Sequence, residues 1–488
     1  MGKLNLLFLF TDEQRADTMA AYGNAKIFTP NLNRLANDSV VFEKCYVTQP
    51  VCTPSRSSIM TGLYPHTNRC IKNNVPLSES TPCLPELVDG YQTGYFGKWH
   101  LGDEVFCQHG FDHWTSIEDN YIAHYREGRD RNARSSYHHW LVNQGYKPDG
   151  SNGVFSRNAA ARLPEEHGKP AFLAHEVANW LESLEADKPF AAYVNFLEPH
   201  MPFTGPRDGQ YPLDYIDLPA NYPHPPGDDA HLKARMLHAM YRHDGFGGVA
   251  LDNEQGWRRI TANYWGLVSQ VDAAVGRILD ALSRCGRAEN TILVYTSDHG
   301  DMMASHQLLA KTVMYEEAVT VPLLLHVPGL NPHREAHIVS QIDLLPTLLD
   351  LIGAPIPEAL EGQSLRGLIE TGHAPACPDV FIQWNGADSG ISALERGQRL
   401  PDYLGALGDP ASLVAAPNDP VRTVITPDRW KLSYSPQLQQ HTLYDLNADP
   451  GETRNLHPLA EHRGRIEDMI ARLRAWGTAH GDSGAATI

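Results

Sequence analysis

Short apolar runs alternate with helical patterns along this chain, and this alternation limits the fold more than any other feature of the sequence. Between the second and third runs, apolar residues recur at steps of three and four over residues 264–282, as in a helix with one buried face. Strands that alternate with helices predict an α/β fold with a mainly parallel sheet. Four runs have the length and composition of buried strands: residues 4–10, 190–196, 291–296 and 321–327.

The last quarter of the chain has a different pattern. From about residue 374, short strand-like runs such as residues 421–425 and 430–434 are separated by turns. This pattern predicts a smaller C-terminal subdomain with an antiparallel sheet. We therefore expect a catalytic α/β domain at residues 1–375 and an α+β subdomain at residues 376–488.

Three stretches lack a clear period. Residues 128–169 are polar and rich in Arg, His, Asn and Gly, and residues 204–229 are rich in Pro, Gly and Asp. We expect both to be long loops or insertions near the pocket. Residues 388–418 form a further polar insertion and are our candidate for a contact between copies in a homo-oligomer. Residues 341–351, in contrast, predict a helix that faces the core.

Charge and cysteine content exclude several classes of protein. The net charge of −18 argues against a nucleic-acid partner, because phosphate backbones bind basic surfaces. An anionic small molecule stays compatible, since a few cations can attract it within an acidic shell. The apolar run at residues 4–10 is too short for a membrane span, and no cleavage site follows it. Seven irregularly spaced cysteines without a CxxC predict neither a disulfide scaffold nor a zinc finger. We expect a cytoplasmic protein without a membrane partner.

Acidic residues follow two of the predicted strands. Asp12 and Glu13 come after the first strand, and Asp298 and His299 come after the third. Ligands of open α/β sheets bind outside the carboxyl ends of the strands, so we expect these side chains to meet. Carboxylates favour Ca²⁺ or Mg²⁺, and an imidazole allows Mn²⁺ to compete. A single pair of such residues after a strand is often only a helix cap, but two such pairs favour a divalent metal site.

Basic residues near other strand ends are suited to an anionic substrate. Lys98 and His100 alternate along a predicted extended strand, so that both would point to one face. The alternative is a solvated strand face. His200 follows another strand in a loop with two prolines and is a candidate general acid. Lys311, downstream of Asp298, is a candidate for binding the transferred group.

The segment Cys52-Thr53-Pro54-Ser55-Arg56 places a thiol beside a predicted helix start, with Thr53 as the cap and Pro54 as the first helical residue. Free backbone N–H groups and the positive dipole end would favour an anion there. Arg56, one turn into the helix, adds a fixed positive charge. The alternative for a lone cysteine is a small buried residue without a chemical role.

This pentapeptide and the order of the other groups along the chain resemble the type I, formylglycine-dependent sulfatases of the alkaline-phosphatase superfamily. The resemblance implies an alkaline-phosphatase-like three-layer sandwich with a large, mainly parallel sheet. It also implies that a formylglycine-generating enzyme oxidises Cys52 to Cα-formylglycine, whose hydrated aldehyde is the nucleophile.

The resemblance further implies a ligand set for one divalent metal. Asp12, Glu13, Asp298 and His299 would hold the ion, and residue 52 would complete its shell. Ca²⁺ is the metal that we expect first, with Mg²⁺ or Mn²⁺ as alternatives.

The same resemblance implies roles for the remaining residues. Arg56 would position and polarise the diol, and Lys98 and Lys311 would bind the sulfate oxygens. His200 would protonate the leaving alcohol. His100 would take a proton from the second hydroxyl of the sulfated diol, which expels sulfate and regenerates the aldehyde.

We therefore expect a sulfuric ester hydrolase that acts on an aryl or carbohydrate sulfate monoester. Many arylsulfatases have Asp in place of Glu13 and Asn in place of His299. These departures keep a phosphonate monoester or phosphodiester hydrolase with the same nucleophile as the alternative. Two further alternatives are a non-catalytic scaffold in which Cys52 is never oxidised and a metal-dependent phosphatase with an unmodified thiol nucleophile.

Overall fold

The computed structural model describes residues 3–150, 152–372, 378–387, 390–391 and 398–488. The predicted domain boundary between residues 375 and 376 lies outside the described residues. Part of the predicted insertion at residues 388–418, namely residues 388–389 and 392–397, lies outside them too. In the described remainder of that insertion, the chain forms two short helices and a 3₁₀ turn.

A sheet of eight strands forms the centre of the protein. All four predicted strand runs belong to this sheet, in β1, β5, β6 and β7. The strands are β1 (Asn5–Asp12), β2 (Val40–Tyr46), β3 (Gln92–Gly97), β4 (His113–Ser116), β5 (Phe190–Pro199), β6 (Thr291–Ser297), β7 (Thr320–His326) and β8 (His333–Ser340).

The sheet is mainly parallel, as predicted, and its order is β4-β3-β5-β1-β6-β7-β2-β8. Strand β7 runs antiparallel to both of its neighbours, β6 and β2. Its predecessor β6 ends at the carboxyl edge, and the chain re-enters the sheet from that same edge without a crossover helix. The connection at residues 298–319 therefore stays at the edge where ligands bind in such folds.

Helices cover both faces of the sheet. Those of eight or more residues are α1 (Pro30–Asn37), α2 (Cys52–Thr61), α3 (Ser136–Asn143), α4 (Lys169–Ser183), α5 (Leu232–Asp244), α6 (Glu254–Arg284), α7 (Leu344–Leu351) and α8 (Arg463–His480). Shorter ones are Pro65–Asn68, Leu84–Leu87, Arg157–Ala160, Glu316–Val319, Arg366–Thr371, Asp402–Gly405, Pro410–Ala415 and Ser483–Ala486. Single 3₁₀ turns are Ala20–Tyr22, Ile122–His124, Glu165–His167, Leu213–Tyr215, Ala288–Asn290, Ser305–Gln307, Gln341–Asp343, Ala416–Asn418 and Ala460–His462.

The structure agrees with the sequence pattern for one stretch of the chain and differs from it for another. The apolar stripe over residues 264–282 lies within α6, whose side chains from Tyr264 to Leu282 are largely buried, as predicted. Residues 128–169 were predicted to be a long loop or an insertion near the pocket, and they contain the helices α3 and Arg157–Ala160, which the sequence pattern did not reveal. Ser135 and Ser156 cap these two helices through their side chains, and such local capping stabilises short helices that have a weak apolar period.

The sheet has a separate core on each face, because successive side chains of a strand point to opposite sides. Phe8 and Phe10 of β1 pack in one core with residues of α2 and α7. Leu7 and Leu9 pack in the other core with residues of α1, α4 and α6. The protein is therefore a three-layer sandwich.

A second, smaller sheet contains four antiparallel strands in the order β12-β11-β10-β9. These are β9 (Val380–Gln383), β10 (Arg422–Ile425), β11 (Trp430–Tyr434) and β12 (Thr442–Asp445). Val424, Leu432 and Leu443 pack against Met469 and Leu473 of α8. The predicted antiparallel sheet near the C-terminus is thus confirmed. In the described ranges, no helix has the length and apolar character to cross a membrane.

Candidate functional site

Side chains from distant segments meet at the carboxyl edge of the large sheet. Asp12 ends β1, Asp298 and His299 follow β6, and Cys52 begins α2. The Sγ of Cys52 lies 3.4 Å from Nε2 of His299 and 3.7 Å from both Oδ1 of Asp12 and Nζ of Lys98. All five side chains are buried. The predicted thiol, Asp12 and the predicted pair Asp298–His299 therefore share one site.

The start of α2 differs from the prediction. The helix begins at Cys52, with Val51 as an N-cap in extended conformation and no side-chain cap. Thr53 lies inside the first turn, where its hydroxyl donates to the backbone carbonyl of His100 over 2.7 Å. The prediction of Thr53 as the cap and Pro54 as the first helical residue is thus wrong. The expectation that this helix start favours an anion beside residue 52 is unaffected, because Cys52 lies in the first turn, at the positive end of the helix dipole.

Arg56 connects the acidic groups of the site. Its Nε donates to Oδ2 of Asp298 over 2.9 Å, and its Nη2 donates to Oδ2 of Asp12 over 2.7 Å. Its Nη1 donates to the carbonyl of Lys98 and to Oδ1 of Asn195, both over 2.7 Å. These bonds hold the guanidinium in one orientation, and its charge offsets the carboxylates.

Four donors converge as a metal site would require. The carboxylates of Asp12 and Asp298, the Sγ of Cys52 and the Nε2 of His299 all lie within 4.8 Å of one another. The Nδ1 of His299 is 2.9 Å from the carbonyl of Gly300, so this nitrogen carries the proton and the lone pair of Nε2 faces the other donors. Two carboxylates and an imidazole fit a divalent cation.

Glu13 belongs to a different part of the cluster. Its Oε2 accepts from Nζ of Lys311 over 2.8 Å and lies 3.4 Å from Nε2 of His200. Its other oxygen, Oε1, accepts no hydrogen bond from an N–H group of the described residues, but the buried carboxyl of Asp301 is close enough for a side-chain hydrogen bond with Glu13. Burial raises the pKa of Glu13 to about 8, although Lys311 opposes this shift. Donor atoms of Asp12, Glu13 and His200 lie within 4.8 Å of one another, so a metal near Asp12 would be within reach of Glu13.

The backbone around Lys98 and His100 differs from the prediction. Strand β3 ends at Gly97, and His100 has a φ of +57°, so the two residues do not alternate on an extended strand. The backbone N–H groups of Trp99 and His100 instead donate to the two carboxylate oxygens of Glu104 over 2.8 and 2.7 Å. This buried carboxylate stabilises a turn that the sequence pattern did not reveal.

Both side chains of this turn still reach the site. The Nζ of Lys98 forms an ion pair with Asp12, whose proximity raises the pKa of Lys98 despite burial, which acts in the opposite direction. His100 stacks on Tyr121 with 4.2 Å between ring centroids, and its Nε2 is 3.1 Å from Oδ1 of Asn74. Burial, and next the charge of Lys98, lower the pKa of His100 well below its usual value.

His200 directly follows β5, where its Nδ1 is 2.7 Å from the carbonyl of Met201. This contact fixes the proton on Nδ1 and points Nε2 toward Glu13. Burial and the charge of Lys311 lower the pKa of His200 well below its usual value. Within the protein alone, His200 is therefore neutral at pH 7.

The thiol of Cys52 is chemically weak in this environment. Burial, and next the Asp12 carboxylate, raise its pKa to about 11. A neutral thiol is a poor nucleophile, because the thiolate is the reactive form. The protein groups around Cys52 therefore disfavour direct attack by an unmodified thiol.

Several residues of the site were missed from the sequence. Asn195 lies inside the apolar run of β5, and nothing in that run distinguishes it except that it is the one amide there. Asp301 lies two residues after His299, and burial raises the pKa of its side chain. The others are Glu104, Tyr121, Asn74 and Gln341, the last of which accepts from Ser55 over 2.8 Å.

Comparison with known proteins gives a consistent result. The sulfatase family model matches residues 4–354 of the chain. The arylsulfatase of Clostridium perfringens is 27% identical over 495 residues, covering 95% of this chain and 92% of that protein. The N-acetylglucosamine-6-O-sulfatase of Bacteroides thetaiotaomicron is 26% identical over 527 residues, covering 96% of this chain and 85% of that protein.

A solved structure shares the fold over nearly the full length. The phosphonate monoester hydrolase of Agrobacterium radiobacter superposes with a TM-score of 0.78 at 22% identity, covering 98% of this chain and 96% of the other. At this level of identity, the likeness bears on the fold alone.

Proposed function

The chain belongs to the sulfatase family, and on that premise we propose that it hydrolyses an aryl or saccharide sulfate monoester through a formylglycine made from Cys52. The family makes the chain a sulfuric ester hydrolase. The observation that supports the nucleophile best is the position of Cys52 at the start of α2, within 3.7 Å of His299, Asp12 and Lys98. Without a bound metal, the same environment keeps the unmodified thiol neutral and therefore weakly nucleophilic.

We assign the metal site to Asp12, Asp298 and His299, with residue 52 and Glu13 as further ligands. A bound divalent cation would supply positive charge to polarise a sulfate oxygen. Ca²⁺ is our first choice because carboxylates dominate the donors, and Mg²⁺ and Mn²⁺ are the alternatives. The donor atom of Glu13 lies within 4.8 Å of those of Asp12 and His200, which supports the inclusion of this residue.

The cations of the site would bind the sulfate group. The Nζ of Lys98 lies 3.7 Å from Sγ of Cys52, and the charge of Lys311 is near enough to oppose the upward shift in the pKa of that thiol. Arg56, fixed by four hydrogen bonds, would orient the nucleophile and offset its charge. Charges that are fixed before substrate binds stabilise the transition state without reorganisation.

Two histidines would move protons. His200 would donate a proton from Nε2 to the leaving alcohol, and His100 would accept one through its free ring nitrogen when the covalent intermediate breaks down. Both rings are neutral in the protein alone, which suits His100 as a base. His200 would need to gain its proton in the complex, where the negative charge of sulfate favours the imidazolium.

The substrate class is supported by the relatives. One is named for aryl sulfates and another for N-acetylglucosamine 6-O-sulfate, and each matches at least 95% of this chain. Phosphonate monoester hydrolysis is the second candidate function, because His299 stands where many arylsulfatases have Asn. The fold is also shared with a phosphonate monoester hydrolase.

Several wider features remain part of the proposal. Maturation would need a formylglycine-generating enzyme, and the domain division would fall near residue 375. The six described cysteines are all free thiols, which supports a reducing compartment such as the cytoplasm. The insertion at residues 388–418 would contact a second copy.

Mass spectrometry of one tryptic peptide tests the nucleophile. Cleavage after Lys44 and Arg56 gives a peptide with both Cys45 and Cys52, so that Cys45 is an internal control. We expect a loss of about 18 Da that fragment ions assign to residue 52 and not to residue 45. An unmodified Cys52 in protein that still hydrolyses sulfate esters after hydrazide treatment would overturn the proposed nucleophile.

Relative rates test the substrate class. We expect matured protein to hydrolyse nitrophenyl sulfate with a higher kcat/KM than a nitrophenyl phosphonate monoester. The reverse order would replace the sulfatase proposal with the phosphonate hydrolase.

A further inference from the structure

A second cluster of potential metal ligands lies outside the candidate active site. Cys83, Glu86 and His109 each offer one donor atom, and these atoms all lie within 4.8 Å of one another. Cys83 is fully buried, the side chain of His109 is 1% exposed, and that of Glu86 is 31% exposed. Cys83 and His109 are therefore buried, and the cluster is exposed to solvent only through Glu86.

His109 provides the observation that points to a ligand. Its Nε2 has no hydrogen-bond partner among the described residues, and its Nδ1 has only a long contact with Glu86, although the side chain is almost entirely buried. Its Nδ1 lies 3.5 Å from Oε2 of Glu86, too far for a good hydrogen bond. Two donors on a tetrahedral zinc with bonds of about 2.1 Å are about 3.4 Å apart, so this separation fits joint ligation of one ion.

Local hydrogen bonds prepare Cys83 and Glu86 for this role. Cys83 is the N-cap of the short helix Leu84–Leu87, where its carbonyl accepts from the backbone N–H of Glu86 over 3.0 Å and its own N–H donates to Oε2 of Glu86 over 2.9 Å. These two bonds hold the Glu86 carboxylate beside Cys83, and Oε2 keeps a further lone pair that can bind an ion.

The loop that carries His109 is shaped to approach Glu86. His109 has a φ of +50°, and Gly110 has a φ of +74°. A Cβ at Gly110 would lie 2.7 Å from Cγ of Glu86, so only glycine allows this contact without displacement. The ring of His109 also packs against Trp99, with 5.6 Å between centroids.

We propose that Cys83, Glu86 and His109 form a binding site for a borderline-soft divalent cation such as Zn²⁺, with water at the fourth position. Thiolate and imidazole favour Zn²⁺ over Ca²⁺ or Mg²⁺, which prefer oxygen ligands. On binding, the Cys83 thiol loses its proton to solvent as the sulfur–metal bond forms. The thiolate and the Glu86 carboxylate then balance the two charges of the ion. This site is independent of the proposed hydrolase function.

Cobalt binding tests the proposal, because a Co²⁺–thiolate bond gives a charge-transfer absorption band. The full-length protein would carry Cys52→Ser, which removes the thiol of the candidate active site, and would be stripped of metal with a chelator. We expect Co²⁺ to produce the band with saturation at one thiolate-bound ion per chain, and Zn²⁺ to abolish it by displacement. Absence of the band would overturn the proposal.

Matched variants identify the ligands. Cys83→Ser should abolish the band, and Glu86→Gln should weaken Co²⁺ binding at least about tenfold. Gln at this helix position still serves a capping box, so Glu86→Gln is expected to fold even if Cys83→Ser does not. Cys107→Ser, at an exposed thiol two residues before His109, is the control and should leave the band unchanged. A band that survives Cys83→Ser, or affinity unaffected by Glu86→Gln, would show that this cluster is not the site.

Discussion

The Nε of Arg56 donates to Oδ2 of Asp298 over 2.9 Å, and neither side chain is more than 1% exposed. This ion pair joins the second turn of α2 to the end of β6, so it holds the candidate nucleophile beside a candidate metal ligand. A buried charge that loses its partner cannot recover its hydration, which makes the pair costly to break.

Removing Arg56 should therefore destabilise the fold as well as the site. We expect Arg56→Ala to lower the free energy of unfolding by about 3 kcal/mol or more, because it removes the guanidinium paired with the buried Asp298 carboxylate and leaves Asp12 paired with Lys98 alone of its two cations. Urea denaturation would measure this change. Arg34→Ala is the matched control, because Arg34 makes a 3.8 Å contact with Asp280 between two largely exposed side chains. It should change the free energy of unfolding by less than about 0.5 kcal/mol. Equal effects of the two substitutions would contradict the assigned role of Arg56.

The role of His200 predicts a dependence on the leaving group. His200→Gln should lower kcat for phenyl sulfate by about 10²–10⁴-fold, because loss of a general acid affects a poor leaving group most. The effect on nitrophenyl sulfate should be much smaller, since nitrophenolate leaves without protonation. Steady-state kinetics on the two esters would give both values. A uniform loss on both substrates would argue that His200 positions the substrate instead.

The buried histidines predict how stability changes with pH. Burial lowers the pKa of His100 in the folded protein. Near pH 6.5, this residue therefore binds a proton in the unfolded chain and stays neutral in the folded protein. Stability therefore falls as the pH drops below about 6.5, with a contribution approaching about 1.4 kcal/mol per pH unit from this residue. We expect His100→Gln to reduce the slope by that amount in urea denaturation of metal-free protein between pH 7 and 5. His139→Gln, at an exposed position on α3, should leave the slope unchanged.

The metal assignment predicts a loss of ligand-induced stabilisation. Ca²⁺ at 100 times its Kd should stabilise chelator-treated protein by about 2.7 kcal/mol and raise its Tm. Asp298→Asn should abolish this shift, because it removes a ligand charge, whereas Asp280→Asn on α6 should retain it. A Tm that rises equally with Ca²⁺ in both variants would place the ion elsewhere.

The sequence was sufficient to predict that candidate site residues meet at the carboxyl edge of the sheet. Asp12 and Asp298 follow buried strands, and parallel strands bring their carboxyl ends to one edge, so their meeting follows from topology. The antiparallel direction of β7 was not predictable from its apolar run, because periodicity does not encode strand direction. The antiparallel direction of β7 nevertheless keeps Lys311 at the same edge of the sheet as Asp298.

Local backbone geometry was the main source of error. The turn at Lys98 and His100 depends on Glu104, which lies outside the motif and looks like any other acidic residue in the sequence. The orientation of Glu13 toward Lys311 likewise depends on a residue nearly 300 positions away. Side-chain pairing at such distances follows from the completed fold and not from local pattern.

The burial of α2 has a consequence for the order of events during biosynthesis. Every residue of this helix is buried, and Cys52 is only 2% exposed at the floor of the site. An oxidising enzyme could not enclose this segment once the sheet and helices had assembled around it. If Cys52 becomes formylglycine, the oxidation must therefore happen on the nascent or unfolded chain. Protein that folds before it meets the maturation enzyme would then be permanently inactive. The yield of active enzyme would therefore depend on the rate of oxidation relative to the rate of folding.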